Sequence, residues 1–502
     1  MKLRRFGVVS SSDRSLAAWQ RACLDALDAA GCGRPAWVAP GAGDPVPSRL
    51  WRAYLNRGAT ASIASPDWWD HASRNADRSS VDFVLCFGSP PDGMDRPAFG
   101  VWRFDLDDGL PIGWRAATGG APSIRAALSA DTAEGRVVLQ QGWLPLSLDY
   151  RSTGRRLHEV LAGWPARAIA EIESGGWKTL TRVAARGRTS GYPSDWELAR
   201  TVCAMPIRRL RHRWREAARY DTWNISVSAL GAPLTDVRQL AALGQDVRWL
   251  PARPPLYYLA DPFPYTQNGR DWLLVEEYGQ PTRVLGRIAR VDPFSDSGDV
   301  TPVIVRDSHM SYPSTFRDGD DILCSPEIHQ EDGCVIYRLT KDGSWELLHH
   351  ILRGRQIVDP TFFQHDGRWW LFCTEFRERS GSLTLHAYYG DAPGGPWTSH
   401  ALDPLKSDLA SARPAGRPFT IGGRLYRPAQ DCSRTYGGAV NVMEVEALTP
   451  TTFRETLALR LEPDPRSPYP DGRHHLVIDG TRVYSDGKRC RYDYLLWWKA
   501  RG

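Results

Sequence analysis

The sequence predicts a multidomain chain: an N-terminal α/β domain over residues 1–165, a helical linker over 166–220 and a C-terminal five-bladed β-propeller over 221–502. Three observations predict it. At 502 residues and 56.2 kDa the chain exceeds what one compact core usually covers. The first third alternates apolar strand-like runs with helical patterns. The second half repeats one hairpin unit five times at the spacing of propeller blades.

In the first part, Phe6-Gly7-Val8-Val9 reads as a strand. Ser12 or Asp13 can cap a helix whose apolar positions Leu16, Trp19, Cys23, Leu24 and Leu27 follow the helical period. Val81 to Gly88 and Phe99 to Phe104 are candidates for strands of the kind buried in parallel sheets, and Val137-Val138-Leu139 makes a fourth strand. No Gly-x-Gly-x-x-Gly and no Walker lysine motif follows any of them, so a dinucleotide or P-loop site has no support. In the linker, Arg208, Arg209, Arg211, His212, Arg213, Arg215 and Arg219 are threaded by Ile207, Leu210 and Trp214. This is an amphipathic basic helix over 207–219: a solvated interdomain face, or a peripheral membrane contact.

The propeller rests on five aligned segments. Asp261-Pro262-Phe263 leads through Asn268-Gly269 to Trp272, and Tyr312-Pro313-Ser314 through Asp318-Gly319 to Ile322. Asp359-Pro360-Thr361 leads through Asp366-Gly367 to Trp370, Gly416-Arg417-Pro418 through Gly422-Gly423 to Tyr426, and Arg473-His474-His475 through Asp479-Gly480 to Tyr484. Each is a strand, a glycine turn and a second strand. The anchors 272, 322, 370, 426 and 484 lie 48 to 58 residues apart, a blade length. Trp223 to Val227 and Tyr494 to Trp498 flank the repeats and are candidates to close the ring; a β-sandwich is the competing all-β fold.

First strands of propeller blades line the central channel, so the openers Asp261, Tyr312, Asp359, Arg417, Arg473 and His474 are expected to converge. Asp-Pro is a poor pair inside a strand unless its position faces a solvated channel, which singles out Asp261 and Asp359. Five residues after each of the first four anchors stands an acid: Glu277, Glu327, Glu375 and Asp431. A structural role in capping loops competes with a functional one for these.

Composition narrows the function. A formal charge of +5 is too small to make nucleic acid the default partner, and no apolar run is long enough to span a bilayer. The short apolar run after Met1 does not make a secretory leader. Nine cysteines, an odd number without Cys-x-x-Cys, point to reduced thiols in a cytoplasm and give no zinc site. No cofactor and no metal is expected; an EF-hand spacing is absent. Twenty-one tryptophans suit a sugar binder as well as sheet cores.

Residues 222–490 resemble the N-terminal domain of the glucosamine inositolphosphorylceramide transferase family. The likeness is carried by Ala260-Asp261-Pro262-Phe263, Ser325-Pro326-Glu327, Val358-Asp359-Pro360, Asp366 to Phe372, Arg413-Pro414-Ala415-Gly416-Arg417 and Tyr426 to Cys432. That family in turn is similar to five-bladed arabinanase and invertase-type glycosidases, which use two aspartates and a later glutamate. Asp261 and Asp359 match the first two, while Glu327 or Asp431 stands in for the third. More weakly, residues 80–160 resemble formyltransferases of the methionyl-tRNA type, but the catalytic Asn-x-His falls where this chain reads Trp102-Arg103-Phe104-Asp105.

These readings imply a carbohydrate-active enzyme that cleaves or transfers a glycosyl group on an anionic sugar substrate, a sugar phosphate, nucleotide sugar or glycoconjugate precursor. Asp261 is the expected base, Glu327 the acid, and Asp359 the residue orienting the sugar. Arg413, Arg417, Arg427, Gln430, Asp431 and His474 are expected to bind the substrate. The alternatives are a non-catalytic scaffold binding a glycan or lipid headgroup, and a formyl or acyl transferase working through the first domain.

Overall fold

The computed structural model describes the chain except residues 1, 11–14, 34, 39–47, 57–62, 65–80, 89, 91–92, 95, 107–112, 148–149, 180–181, 184–191, 244–246, 280–283, 377–383 and 494–502. It divides into two compact units, Met1–Leu210 and Arg211–Gly502.

The first unit is built on a seven-stranded mixed sheet. Phe6–Val9 runs parallel to Ala36–Val38 on one side and to Phe83–Cys86 on the other, and Val101–Leu106 continues the parallel part. Ser123–Thr132, Gly135–Pro145 and Arg182–Val183 extend the sheet antiparallel. The four strand runs read from the sequence are therefore present, and the runs of branched and aromatic residues are buried where both faces of the sheet are covered. The first helix, Ala18–Ala29, buries Cys23, Leu24 and Leu27. It starts at Ala17, whose N–H donates to the Gln20 side chain, and not at Ser12 or Asp13, which lie outside the described residues. Leu16 stands before this helix in the short strand Ser15–Leu16. The segment 102–105, compared above with a formyltransferase motif, is sheet: Trp102 is buried and Arg103 pairs with Asp131.

The second half of the predicted linker is one helix, Asp195–Ala218; the first half is occupied by the end of Tyr150–Glu173, which begins inside the predicted α/β domain.

The second unit is a five-bladed β-propeller. Blade one comprises Tyr257–Gln267, Arg270–Gly279, Val284–Val291 and Val300–Ile304; blade two, Met310–Asp318, Asp321–Ile328, Cys334–Leu339 and Trp345–Ile351. Blade three comprises Ile357–His365, Arg368–Glu375, Thr384–Gly390 and Thr398–Ser399, and blade four runs from Phe419–Ile421 to Phe453–Leu461. The fifth joins distant parts of the chain: Leu476–Asp479 pairs with Arg482–Tyr492, which pairs with Arg219–Ala229, and that strand carries Val247–Trp249 on its outer edge. Trp223 to Val227 thus helps to close the ring, and its partner is 482–492; the other candidate, Tyr494 to Trp498, lies outside the described residues.

Every blade reaches the axis. Phe263 of blade one, Tyr312 of blade two and Val477 of blade five pack together. The Tyr312 hydroxyl accepts the Gly416 N–H of blade four at 2.7 Å and bonds Thr361 of blade three at 2.8 Å. Packing and hydrogen bonds from five sheets converge on one tyrosine, which locks the circular order of the blades.

Candidate functional site

Three blade openers share an unusual backbone. Asp261, Tyr312 and Asp359 have φ of 54°, 46° and 50°, and each coincides with a register shift against the neighbouring strand. A bulge of this kind turns a side chain out of the strand's alternation, and the proline that follows withholds the ladder donor that would resist it. The Asp-Pro pairs were thus legible as departures from strand chemistry. They place two aspartates at the axis, and the third bulge sends Tyr312 to the central lock.

Around Asp261 the site is crowded and buried. Its carboxylate accepts the Tyr312 N–H at 3.1 Å, and its own N–H lies 3.3 Å from an Asp486 oxygen. His474 Nδ1 lies 2.6 Å from Asp486 and 3.8 Å from Asp261, and His475 Nδ1 is 3.7 Å from Asp261. The His474 ring stacks on Trp223 with centroids 3.8 Å apart. On the far side, Arg413 grips Asp359 through Nε and Nη2, and the Asp359 N–H donates to Glu327 at 3.1 Å. Gln430 donates to the Pro414 carbonyl at 3.1 Å and lies 3.5 Å from Asp359. Arg413 also sits over the Tyr436 ring at 5.2 Å, and Tyr436 is the half-exposed rim of the site.

Five carboxyl groups therefore face one guanidinium and one protonatable histidine: Asp261, Glu276, Glu327, Asp359 and Asp486 against Arg413 and His474. Not all of them can ionise at once. Burial pushes Glu327 up to about 8, with Asp359 adding to the rise and Arg413 opposing it. Burial likewise raises Asp261 to about 6; His474 opposes this, and Asp486 and Asp359 reinforce it. Glu276 rises well above the usual carboxylate range through burial and then through Asp261 and Glu327. Burial acts on Asp486 in the same direction, but His474 outweighs it and holds that acid down at about 2. The reciprocal effect raises His474 against its own burial.

The recurring acids separate. Glu277 is tied to Arg287 and Tyr257, and Glu375 to Arg355 and Tyr388. Asp431 is tied to Arg460 and to the Ser433 N–H. These three brace their own blades, and Asp431 does not join the substrate-binding group expected of it. Glu327 differs because Pro326 interrupts its strand: Asp321–Ile328 pairs with the next strand only at Leu323 and Cys324, which frees Glu327 to reach blade three. Arg427 is also placed away from the site. It is buried against Glu455 in a two-point ion pair at 2.7 and 3.0 Å, with a further bond to the Ser411 carbonyl. Arg417 has Asp479 and Arg317 as its charged neighbours, at the hairpin-turn ends of their strands. The structure thus brings together Asp261, Glu327, Asp359, Arg413, Gln430 and His474, and leaves out Arg417, Arg427 and Asp431.

Glu276, Tyr436, His475 and Asp486 were missed. Glu276 sits beside the flagged Glu277, on the opposite face of its strand, where the period of two alone would have found it. Asp486 is in the second strand of blade five, two residues after the anchor Tyr484, and no repeat position marks it. Among the described residues, one group could hold a metal ion: Asp261, His474 and Asp486 offer donor atoms within 4.8 Å of one another, although two of them already hydrogen-bond each other.

Sheet topology and site together define a five-bladed β-propeller with an acid-lined axial pit. Within that class, residues 251–481 match the family model described as glucosamine inositolphosphorylceramide transferase 1, N-terminal. The protein of that name from Oryza sativa subsp. japonica is 31% identical over 242 residues, covering 46% of this chain and 32% of the rice protein. The Arabidopsis thaliana protein is 31% identical over 211 residues, covering 40% of this chain and 27% of its own. The match therefore spans about a third of the length of these relatives. Among solved structures, a thermostable family-43 glycoside hydrolase is 15% identical with a TM-score of 0.31, covering 42% of this chain and 78% of its own. An exo-β-1,3-galactanase from Clostridium thermocellum is 12% identical with a TM-score of 0.33, covering 43% and 55%.

Proposed function

We propose that the axial pit is the active site of a carbohydrate-active enzyme that cleaves or transfers a glycosyl group. The observation that carries this reading is the pair Asp261 and Glu327, one carboxyl raised to about 6 and the other to about 8. Between those values Asp261 is a carboxylate and Glu327 keeps its proton. Chemistry at an anomeric carbon needs that division: one group accepts a proton from the attacking water or hydroxyl, and the other gives one to the departing oxygen. Asp359, held by Arg413 and adjoining Glu327, orients the sugar and helps to keep the acid protonated. Tyr436, half-exposed at the rim, offers an aromatic face for a sugar ring.

With Arg417 and Arg427 engaged elsewhere, the pit's excess of acids favours a neutral or amine-bearing sugar ring. An anionic portion of the substrate belongs outside it, at the rim beside Arg413. The relatives' printed name, a glucosamine transferase, agrees with an amino sugar.

The test is turnover against a panel of sugar nucleotides and sugar phosphates. The wild type should show a bell-shaped pH profile with limbs near 6 and 8, and Asp261→Asn should lose activity by at least about a hundredfold with its fold intact. Binding of a panel member without any product would replace the enzyme by a binding scaffold. Full activity in Asp261→Asn would remove the assigned base.

A further inference from the structure

The helix Asp195–Ala218 carries a feature that the propeller chemistry does not use. Trp196, Cys203, Ile207, Leu210 and Trp214 follow one another at intervals of seven, four, three and four residues, so they form one stripe along the helix. The described residues leave the stripe uncovered: Trp196 is 74% exposed, Ile207 58%, Leu210 57% and Trp214 64%. Near the start of the helix the opposite face packs, through Leu198 against Trp51 and Trp114, while residues 206–217 are exposed all round. An exposed apolar stripe of this size is too costly to leave in water without a partner.

The flanks say which partner. Arg211 and Arg215 border the stripe on one side, Arg209 and Arg213 on the other, and all four are exposed. No Asp or Glu occurs between Glu197 and Glu216. Arginine beside an apolar stripe lets its stem lie along hydrocarbon while the guanidinium reaches phosphate oxygens, and tryptophan prefers the same depth. A second copy of the chain would bring the same arginines against each other, whereas a bilayer surface rich in acidic headgroups complements both the stripe and its border. With six arginines between Arg200 and Arg215, the helix is not apolar enough to cross a membrane and is suited to lying along one.

We propose that this helix is a surface anchor for anionic lipid, seated with Ile207, Leu210 and Trp214 in the headgroup boundary. The experiment is pelleting of the full chain with vesicles of phosphatidylcholine alone or with about 30% phosphatidylserine, at roughly 0.1 M salt. It reads binding only, so its outcome is independent of any glycosyl chemistry. The wild type should pellet with the acidic vesicles at least about tenfold more tightly than with the neutral ones, and raising the salt should release it. Arg211→Gln with Arg213→Gln and Arg215→Gln should weaken binding by about a hundredfold, since each charge contributes about a factor of five at such a surface. Leu210→Ala with Trp214→Ala should weaken it without changing its salt dependence. All five side chains are exposed, and an unchanged near-ultraviolet circular dichroism spectrum verifies each variant's fold. Absence of wild-type pelleting, equal pelleting with neutral vesicles, or a solution dimer dispersed by Trp214→Glu would each overturn the proposal, the last by showing that a second copy covers the stripe.

Discussion

Replacing Glu327 by glutamine tests the electrostatics of the pit without any substrate. In an unfolded chain this carboxyl ionises near its ordinary value of 4.5, whereas in the fold burial and Asp359 hold its proton until about 8. Between those values the folded chain binds one proton more than the unfolded chain, so stability falls as pH rises through the window. Its contribution is fully present below 4.5 and lost by about 8. Each pH unit inside the window costs about 1.4 kcal/mol, which sums to on the order of 5 kcal/mol. Glutamine has nearly the same shape, never ionises and still accepts the Asp359 N–H. Thermal unfolding of Glu327→Gln and wild type should therefore coincide near pH 4.5 and diverge above it. At pH 8.5 the variant should melt about 10 °C higher, at about 2 °C per kcal/mol for a unit of this size. Asp261 lowers both curves, and because Glu327 helps to raise Glu276, the difference reports Glu327 together with its effect on Glu276. Parallel curves from pH 4.5 to 8.5, or a variant less stable at the alkaline end, would refute the raised acid and with it the proton donor of the proposed reaction.

Two further substitutions separate bracing from chemistry. Arg427→Met leaves the buried Glu455 with Lys406 as its cation, and should cost about 3–5 kcal/mol in urea unfolding while the folded fraction keeps its KM. Because burial would raise Glu455 but Arg427 and Lys406 bring it down to about 2, the wild-type pair contributes above about pH 4.5 and is lost as pH falls toward 2; the variant should lack that acid limb. Gly416→Ala places a methyl 2.0 Å from the Leu476 carbonyl at a φ of 125°, and should cost more than about 3 kcal/mol in urea unfolding. Gly367→Ala, with a φ of 72° but open space around it, should cost about 1 kcal/mol in the same measurement.

The propeller was legible because its signals are local. A glycine turn, an anchor residue and a blade length can be counted along the chain, and the Asp-Pro pairs mark bulges through the chemistry of proline. Glu327 was legible from its place five residues after the blade anchor and from the Ser325-Pro326-Glu327 match, while the broken ladder that sets it apart showed only in the structure. What could not be read was partnership across the sheet. Arg427 looks like its neighbour Arg413 in sequence, yet Glu455, on the outermost strand of the same blade, claims it, and no spacing rule announces that pairing. Asp431 and Arg460 are another such pair. The acid at a fixed repeat position proved to be a brace in three blades and an axial group in one. A repeat preserves backbone placement and leaves each side chain's partner to its own blade. In the first unit, continuous apolar runs identified sheet strands, but the helix start near Ala17 is marked by a bond from its N–H to the Gln20 side chain that propensity alone does not reveal.

The fifth blade couples residues 219–229 to 482–492, so its first strand waits for a partner nearly the whole propeller away in sequence. During synthesis, four blades emerge while that strand still offers unpaired backbone groups to any neighbouring chain. A late-forming seam of this kind makes the nascent propeller slow to complete and open to misassembly, and it sets the last hairpin as the step that commits the ring.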